Sequence, residues 1–133
     1  MDSTELSLDT DNELVTDITA DAARFCQDRG DGLLSVFVPH ATAGLALMET
    51  GSGSEADLNE TLNRLLPPDD RYQHRHGSRG HGRDHVVPAF VAPSLTIPVL
   101  GGALQLGTWQ SLVVIDSNRD NRTRRVRLSF LAG

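Results

Sequence analysis

The apolar residues of this chain fall into short runs broken by glycine and proline, and that spacing constrains the fold more than any other feature. Leu33 to Val38 is bounded by Gly32 and Pro39 and reads as a buried strand. Leu45–Met48, Val86–Val91, Leu95–Leu100, Ser111–Ile115 and Arg124–Leu131 are strand-like as well. In the last of these Val126, Leu128 and Phe130 alternate onto one side. Turns are predicted at Pro93-Ser94, Gly101-Gly102 and Ser117–Asn121. Residues 3–8 alternate as an edge strand does, and residues 13–18 are read as their pairing partner.

Two segments have helical character instead. One starts at Thr19, read as the N-cap, and runs to about Arg29, with Gly30 supplying the left-handed turn after it. Ala22, Phe25 and Cys26 share a face. The other spans Ser54 to Leu66, with Ser54 and Asp57 resembling a capping pair and Leu58, Leu62 and Leu65 in one stripe. Pro67-Pro68 stops it. Strands with two helices predict an α+β fold with a mainly antiparallel sheet, in one domain over residues 1–133.

The core must be aliphatic, because only 5% of the 133 residues are aromatic. A small aliphatic core of this kind is often supplemented by subunit contacts. No apolar run approaches the roughly 20 residues that cross a membrane. The N-terminus Met1-Asp2-Ser3-Thr4-Glu5 has neither the basic nor the apolar part of a secretory signal, so a cytoplasmic protein is expected. Cys26 is alone and reads as a small core residue.

All 12 basic residues are arginine, and the net charge is −6. A salt-adapted, halophilic acidic surface and a GC-rich genome both produce this bias; the abundance of aspartate favours the first. Either way the negative charge argues against nonspecific nucleic-acid binding. Eleven of the arginines follow Arg24, so a local basic pocket is compatible with it.

Four of the five histidines lie between residues 74 and 85, in a Gly/Arg/His-rich stretch without periodicity that reads as a loop. His74-x-His76 and His81-x3-His85 both have ligand spacing, and neutral imidazole is the commonest metal ligand. The same composition also describes a solvated loop. His76 and His81 are flanked by glycine and are set aside. His74, beside Tyr72, and His85, read as opening a strand, are the better-held candidates. His40 follows a buried strand and has Thr42 and Glu49 nearby. Trp109 is either a core residue or a wall for a flat ligand, with Gln110 beside it. Arg122 and Arg124, in the last turn, suit a phosphate, or they pair with Asp116 and Asp120 in a solvated turn. Phosphate-loop, CxxC, GxSxG and HExxH patterns are absent.

Together these pieces resemble the YjbQ family of secondary thiamine-phosphate synthase enzymes. The resemblance rests on Phe37-Val38-Pro39-His40-Ala41-Thr42-Ala43, Glu49, Asp57, Tyr72-Gln73-His74, His85, and Gly102-Ala103-Leu104-Gln105-Leu106-Gly107-Thr108-Trp109-Gln110. Ala41, Met48 and Pro93 stand where the family commonly has threonine, asparagine and glycine. The resemblance implies a β-sandwich of mainly antiparallel strands with two helices, assembled as a homotrimer with sites near subunit boundaries. It implies a catalytic set of His40, Thr42, Glu49, Asp57, His74 and His85. It also implies a divalent metal, zinc or magnesium, on His40, His74 and His85. Trp109, Gln110, Arg122 and Arg124 would bind a small phosphorylated molecule. The activity implied is a low-level joining of a pyrimidine pyrophosphate to a thiazole phosphate, releasing pyrophosphate. A non-catalytic metal- or ligand-binding trimer and a metal-assisted phosphoester hydrolase are the alternatives.

Overall fold

The computed structural model describes residues 1–75 and 77–133. Its strands are β1 (Asp2–Asp9), β2 (Val15–Asp17), β3 (Gly32–Phe37), β4 (Ala43–Met48), β5 (Ser94–Leu100), β6 (Ala103–Leu104), β7 (Ser111–Asp116) and β8 (Thr123–Ala132). Helix α1 (Thr19–Cys26) lies between β2 and β3, and α2 (Ser54–Leu65) follows β4. A four-residue helix, α3 (His81–Asp84), and a 3-10 turn at Val87–Ala89 lead into β5. Two sheets form, in the orders β1-β8-β3-β5-β6 and β2-β7-β4, and the strand pairs are antiparallel.

Period-two alternation decides which side chains meet between the sheets. Leu34 and Val36 of β3, Val126, Leu128 and Phe130 of β8, and Ile97 and Val99 of β5 point inward. They meet Ala43, Leu45, Leu112 and Val114 of the smaller sheet, with Ala22 and Cys26 of α1 completing this core. The other face of β7 carries Val113 and Ile115, which pack with Leu62 and Leu58 of α2. The layers are therefore sheet, sheet and helix. Because β7 is buried on both faces, it reads as a continuous apolar run.

Several local expectations differ from the structure. β2 pairs with β7, through Val15 opposite Ile115, and not with β1. The chain reverses at Asp11-Asn12, both at positive φ, and Arg122 clasps Asp9 and Asp11 there. Helix α1 ends at Cys26, three residues before Arg29. Its first turn is capped by Asp17, whose carboxylate accepts from the Thr19 backbone N–H at 2.9 Å and from the Thr19 hydroxyl at 2.6 Å. Helix α2 begins after Gly53 at φ 98°, without a Ser54 side-chain cap; Glu55 instead accepts from the Gly51 N–H. Val86–Val91 is not a strand. Pro88 has no N–H to give a ladder, and the segment coils through bonds from Ala89 and Phe90 to the carbonyls of Val86 and Val87. The stretch 69–85, read as a loop, contains α3.

Among the described residues, no helix is long and apolar enough to cross a membrane.

Candidate functional site

The histidines converge because of how the chain leaves α2. After Pro67-Pro68, the Tyr72 hydroxyl donates to the Pro67 carbonyl at 2.9 Å, which turns residues 69–74 back on the helix end. Gly82 then lets α3 lie directly against that turn. A Cβ at Gly82 would stand 2.6 Å from the His74 carbonyl oxygen and 2.7 Å from the Tyr72 Cβ, so a larger residue would push the two strips of chain apart. His81 and His85 are four residues apart, and His85 keeps helical backbone as the C-cap, so both rings emerge on one side.

His74 completes the group. Its ring centroid lies 4.2 Å from that of His85 and 5.4 Å from that of His81. One ring nitrogen from each of the three lies within 4.8 Å of the others. The Nε2 atoms of His81 and His85 are 2.7 Å apart, so one of them donates a proton to the other. His76 lies outside the described residues.

A polar shell holds this cluster against the sandwich. Asn118 accepts at Oδ1 from the Asp120 N–H at 2.9 Å, which turns its amide nitrogen toward His81 Nδ1, also at 2.9 Å. Asp120 Oδ2 lies 3.1 Å from the same nitrogen. His81 Nδ1 can accept from Asn118 in one tautomer and donate to Asp120 in the other. Hydrogen bonds from Ser78 first, and then the nearby His81 ring, hold the Asp120 carboxyl below its ordinary value. Behind Asn118 sits a buried ion pair, with Arg124 Nε donating to Asp116 Oδ2 at 2.6 Å. Thr42 joins it, donating to Asp116 Oδ1 at 3.1 Å and accepting from Arg124 Nη2 at 3.2 Å. Burial pushes the Asp116 carboxyl up, against the pull of the Asn118 N–H and Arg124. Contact with a permanently charged guanidinium keeps it ionised at neutral pH.

The donor set fits a divalent ion with a preference for nitrogen. Ligand nitrogens around a tetrahedral zinc, each at about 2.0–2.1 Å, stand roughly 3.3 Å apart. The His81–His85 contact at 2.7 Å is closer than that and must open slightly. A bound ion would take the place of the proton the two rings share. The tautomer in which His81 donates from Nδ1 to Asp120 would leave its Nε2 free to act as a ligand, as carboxylate–histidine pairs do at metal sites. Magnesium, which favours oxygen, suits three imidazoles less well.

The other residues named from sequence lie elsewhere. His40 is not in the cluster; its Nε2 accepts from the Arg125 backbone N–H at 2.9 Å. Burial first, then the positive charges of Arg124 and Arg125, lower its pKa. Thr42 and Arg124 belong to the buried network. Arg122 is held by Asp9 and Asp11, not by Asp116 or Asp120. Glu49, Asp57 and Gln110 are exposed, and Trp109, 73% exposed, is not a core residue. Cys26 is buried in the core.

His81, the less favoured candidate from sequence, is a member of the cluster, with the His85 ring standing between it and His74. Sequence reading also passed over Asn118 and the outer role of Asp120. The i,i+4 spacing of His81 and His85 was the available signal, and its weight depended on a helix that the glycines around His81 obscured.

Fold and site together define a class: an antiparallel sandwich with a histidine cluster at one end, backed by a buried ion pair. The model of the UPF0047 protein YjbQ-like family matches residues 4–133. The chain belongs to that family. A UPF0047 protein of Mycobacterium tuberculosis (strain H37Rv) is 59% identical over 133 residues, covering 100% of both chains. One from Archaeoglobus fulgidus is 35% identical over 129 residues, covering 96% of this chain and 99% of the other. Among solved structures, a hypothetical protein of Aeropyrum pernix K1 superposes with a TM-score of 0.90 at 28% identity, covering 100% of both chains. A YjbQ/UPF0047 protein of Clostridium acetobutylicum gives 0.86 at 26% identity, covering 96% of this chain and 99% of that one.

Proposed function

We propose that the protein is a metal-dependent enzyme acting on phosphorylated small molecules, with His74, His81 and His85 holding the ion. The observation that carries this reading is the convergence of three ring nitrogens within 4.8 Å, backed by Asp120 and Asn118. Zinc is the ion the donor chemistry favours. When bound, such an ion supplies positive charge against a phosphate or pyrophosphate leaving group. Asp120 fixes the His81 ring by accepting from Nδ1–H. Asn118, whose Oδ1 accepts from the Asp120 N–H and whose own backbone N–H donates to Asp116, holds Asp120 in place relative to the Arg124–Asp116 pair. Thiamine-phosphate synthesis, the activity that the YjbQ resemblance implies, is proposed as a low-level secondary reaction at this site.

The protein works as a homotrimer in this reading. Leu33, Phe37 and Leu131 are exposed on one face of the larger sheet, where Leu33 lies opposite Leu131. A patch of that kind suits a contact between copies. Light scattering that returned the mass of one chain would contradict it.

The test of function is an assay of purified protein with zinc or magnesium. Thiamine phosphate formed from the pyrimidine pyrophosphate and thiazole phosphate, and lost in His81→Ala, supports the synthase reading. Phosphate release from an ester panel, lost in the same variant, supports a hydrolase instead. Metal binding with no turnover of any substrate leaves a binding protein and overturns the enzymatic reading.

A further inference from the structure

A second cavity, of about 140 Å³, adjoins the one lined by His74 and His81, and the two share Ser78 and Arg79. Arg79, Arg83, Asp84, Ser117 and Arg119 are among the residues that line it. Its volume, roughly four or five waters at ~30 Å³ each, has room for a phosphate group.

The charge in this cavity is pre-arranged. Arg83 is nearly buried, with a side chain 11% exposed. Its Nε donates to Asp84 at 3.1 Å, and its Nη1 donates to Asn63 at 2.9 Å and to the Leu66 carbonyl at 3.1 Å. Those bonds fix the guanidinium, and among the described residues none accepts from its Nη2. Ser117 donates to the same Asp84 oxygen at 2.6 Å, so one carboxylate organises both groups. Arg119 makes no side-chain hydrogen bond or ion pair among the described residues. Arg79 is anchored loosely, 3.7 Å from Asp70, while Asp70 and Asp120 accept from the N–H groups of Gly80 and Ser78 on either side of it. The lining of this cavity thus carries three guanidiniums and one carboxylate, Asp84, with Asp70 and Asp120 at its border, in a chain whose net charge is −6. A local positive field in a negatively charged protein attracts a small anion. Arg122 and Arg124, the arginines that sequence reading assigned to phosphate, are held by aspartates elsewhere.

We infer that Arg79, Arg83 and Arg119, with Ser117, form a binding site for the phosphate group of a small molecule beside the histidine cluster. It deepens the function proposed above, resting on that reading for the ligand's role, but phosphate binding does not require the metal. Arginine forks match phosphate oxygens, and removing one from such a site weakens binding by about tenfold or more.

The experiment titrates inorganic phosphate into metal-stripped protein, followed by calorimetry at constant ionic strength. Saturable binding is expected. Arg119→Gln, at an exposed position where folding is not at stake, should weaken it about tenfold or more. The same variant should retain the wild-type melting temperature and zinc affinity, and Arg122→Gln should bind phosphate as the wild type does. Absence of saturable binding in the wild type overturns the site, as does equal weakening by Arg122→Gln. Zinc binding, measured separately on the same samples, shows whether the metal reading has failed instead.

Discussion

The sandwich and the histidine-bearing segment between α2 and β5 are held in different ways. In the sandwich, Leu34, Val36, Val126 and Leu128 are fully enclosed, and strand alternation puts them there. Among the described residues of the segment from Pro67 to Pro93, only Val87 is a fully enclosed apolar side chain. Specific polar contacts hold it: Tyr72 to Pro67, Ser117 to Asp84, Asn118 to His81, and Arg83 to Asn63 and Leu66. Burial is non-directional and supplies stability, whereas hydrogen bonds fix geometry at small net gain. The molecule thus separates a stabilising part from a site-forming part, and the Arg124–Asp116 pair joins them.

That separation can be broken at the joint. Arg124→Ala leaves Asp116 buried and unpaired and should cost about 3–5 kcal/mol in denaturant unfolding. Arg122→Ala, by contrast, should leave the midpoint unchanged, because its partners Asp9 and Asp11 are exposed. Within the sandwich, Leu128→Ala removes an enclosed side chain and should cost about 2–5 kcal/mol. Beside the segment, Asn118→Ala should cost about 1–3 kcal/mol and also weaken metal binding, since it removes the side-chain oxygen that positions Asp120 next to the His81 ring. A loss of stability in Asn118→Ala with metal affinity unchanged would contradict the role of Asn118 in joining the two parts.

The smallest expected effect is a pH dependence at His40. Its folded pKa is depressed below the ordinary histidine value of about 6.5, so the unfolded chain binds the proton more readily. The stability it contributes is fully present above that value and is lost as pH falls through the lower, folded one. Unfolding midpoints should therefore decline in that window, and His40→Gln should flatten the decline. The groups acting on His40 are Arg124 and Arg125, which disfavour its charge, and Asp116, which favours it. An unchanged slope in His40→Gln would remove this account of the ring.

The sandwich was legible in the sequence because period-two alternation and turn residues are local signals. β3, β5, β7 and β8 were all placed to within two residues at each end. Pairing was less legible: β2 joins β7 across the chain, which no local pattern encodes. The site was legible in its residue types but not in its grouping. His74 and His85 could be named, yet choosing His81 required knowing that Gly82 allows α3 to pack against residues 72–74. Pairing of Arg124 with Asp116 was one of the two readings, but its burial was hidden, since that follows from Arg124 lying on the inward side of β8 and not from the charge of the turn.

In the proposed function His74, His81 and His85 form one metal site, to which His40 does not belong. Zinc affinity measured by chelator competition tests it directly, on the wild type, His81→Ala and His40→Ala. One zinc per chain is expected in the wild type, with affinity lowered by more than about tenfold in His81→Ala and retained in His40→Ala. No zinc in the wild type, or loss in His40→Ala with retention in His81→Ala, would contradict it.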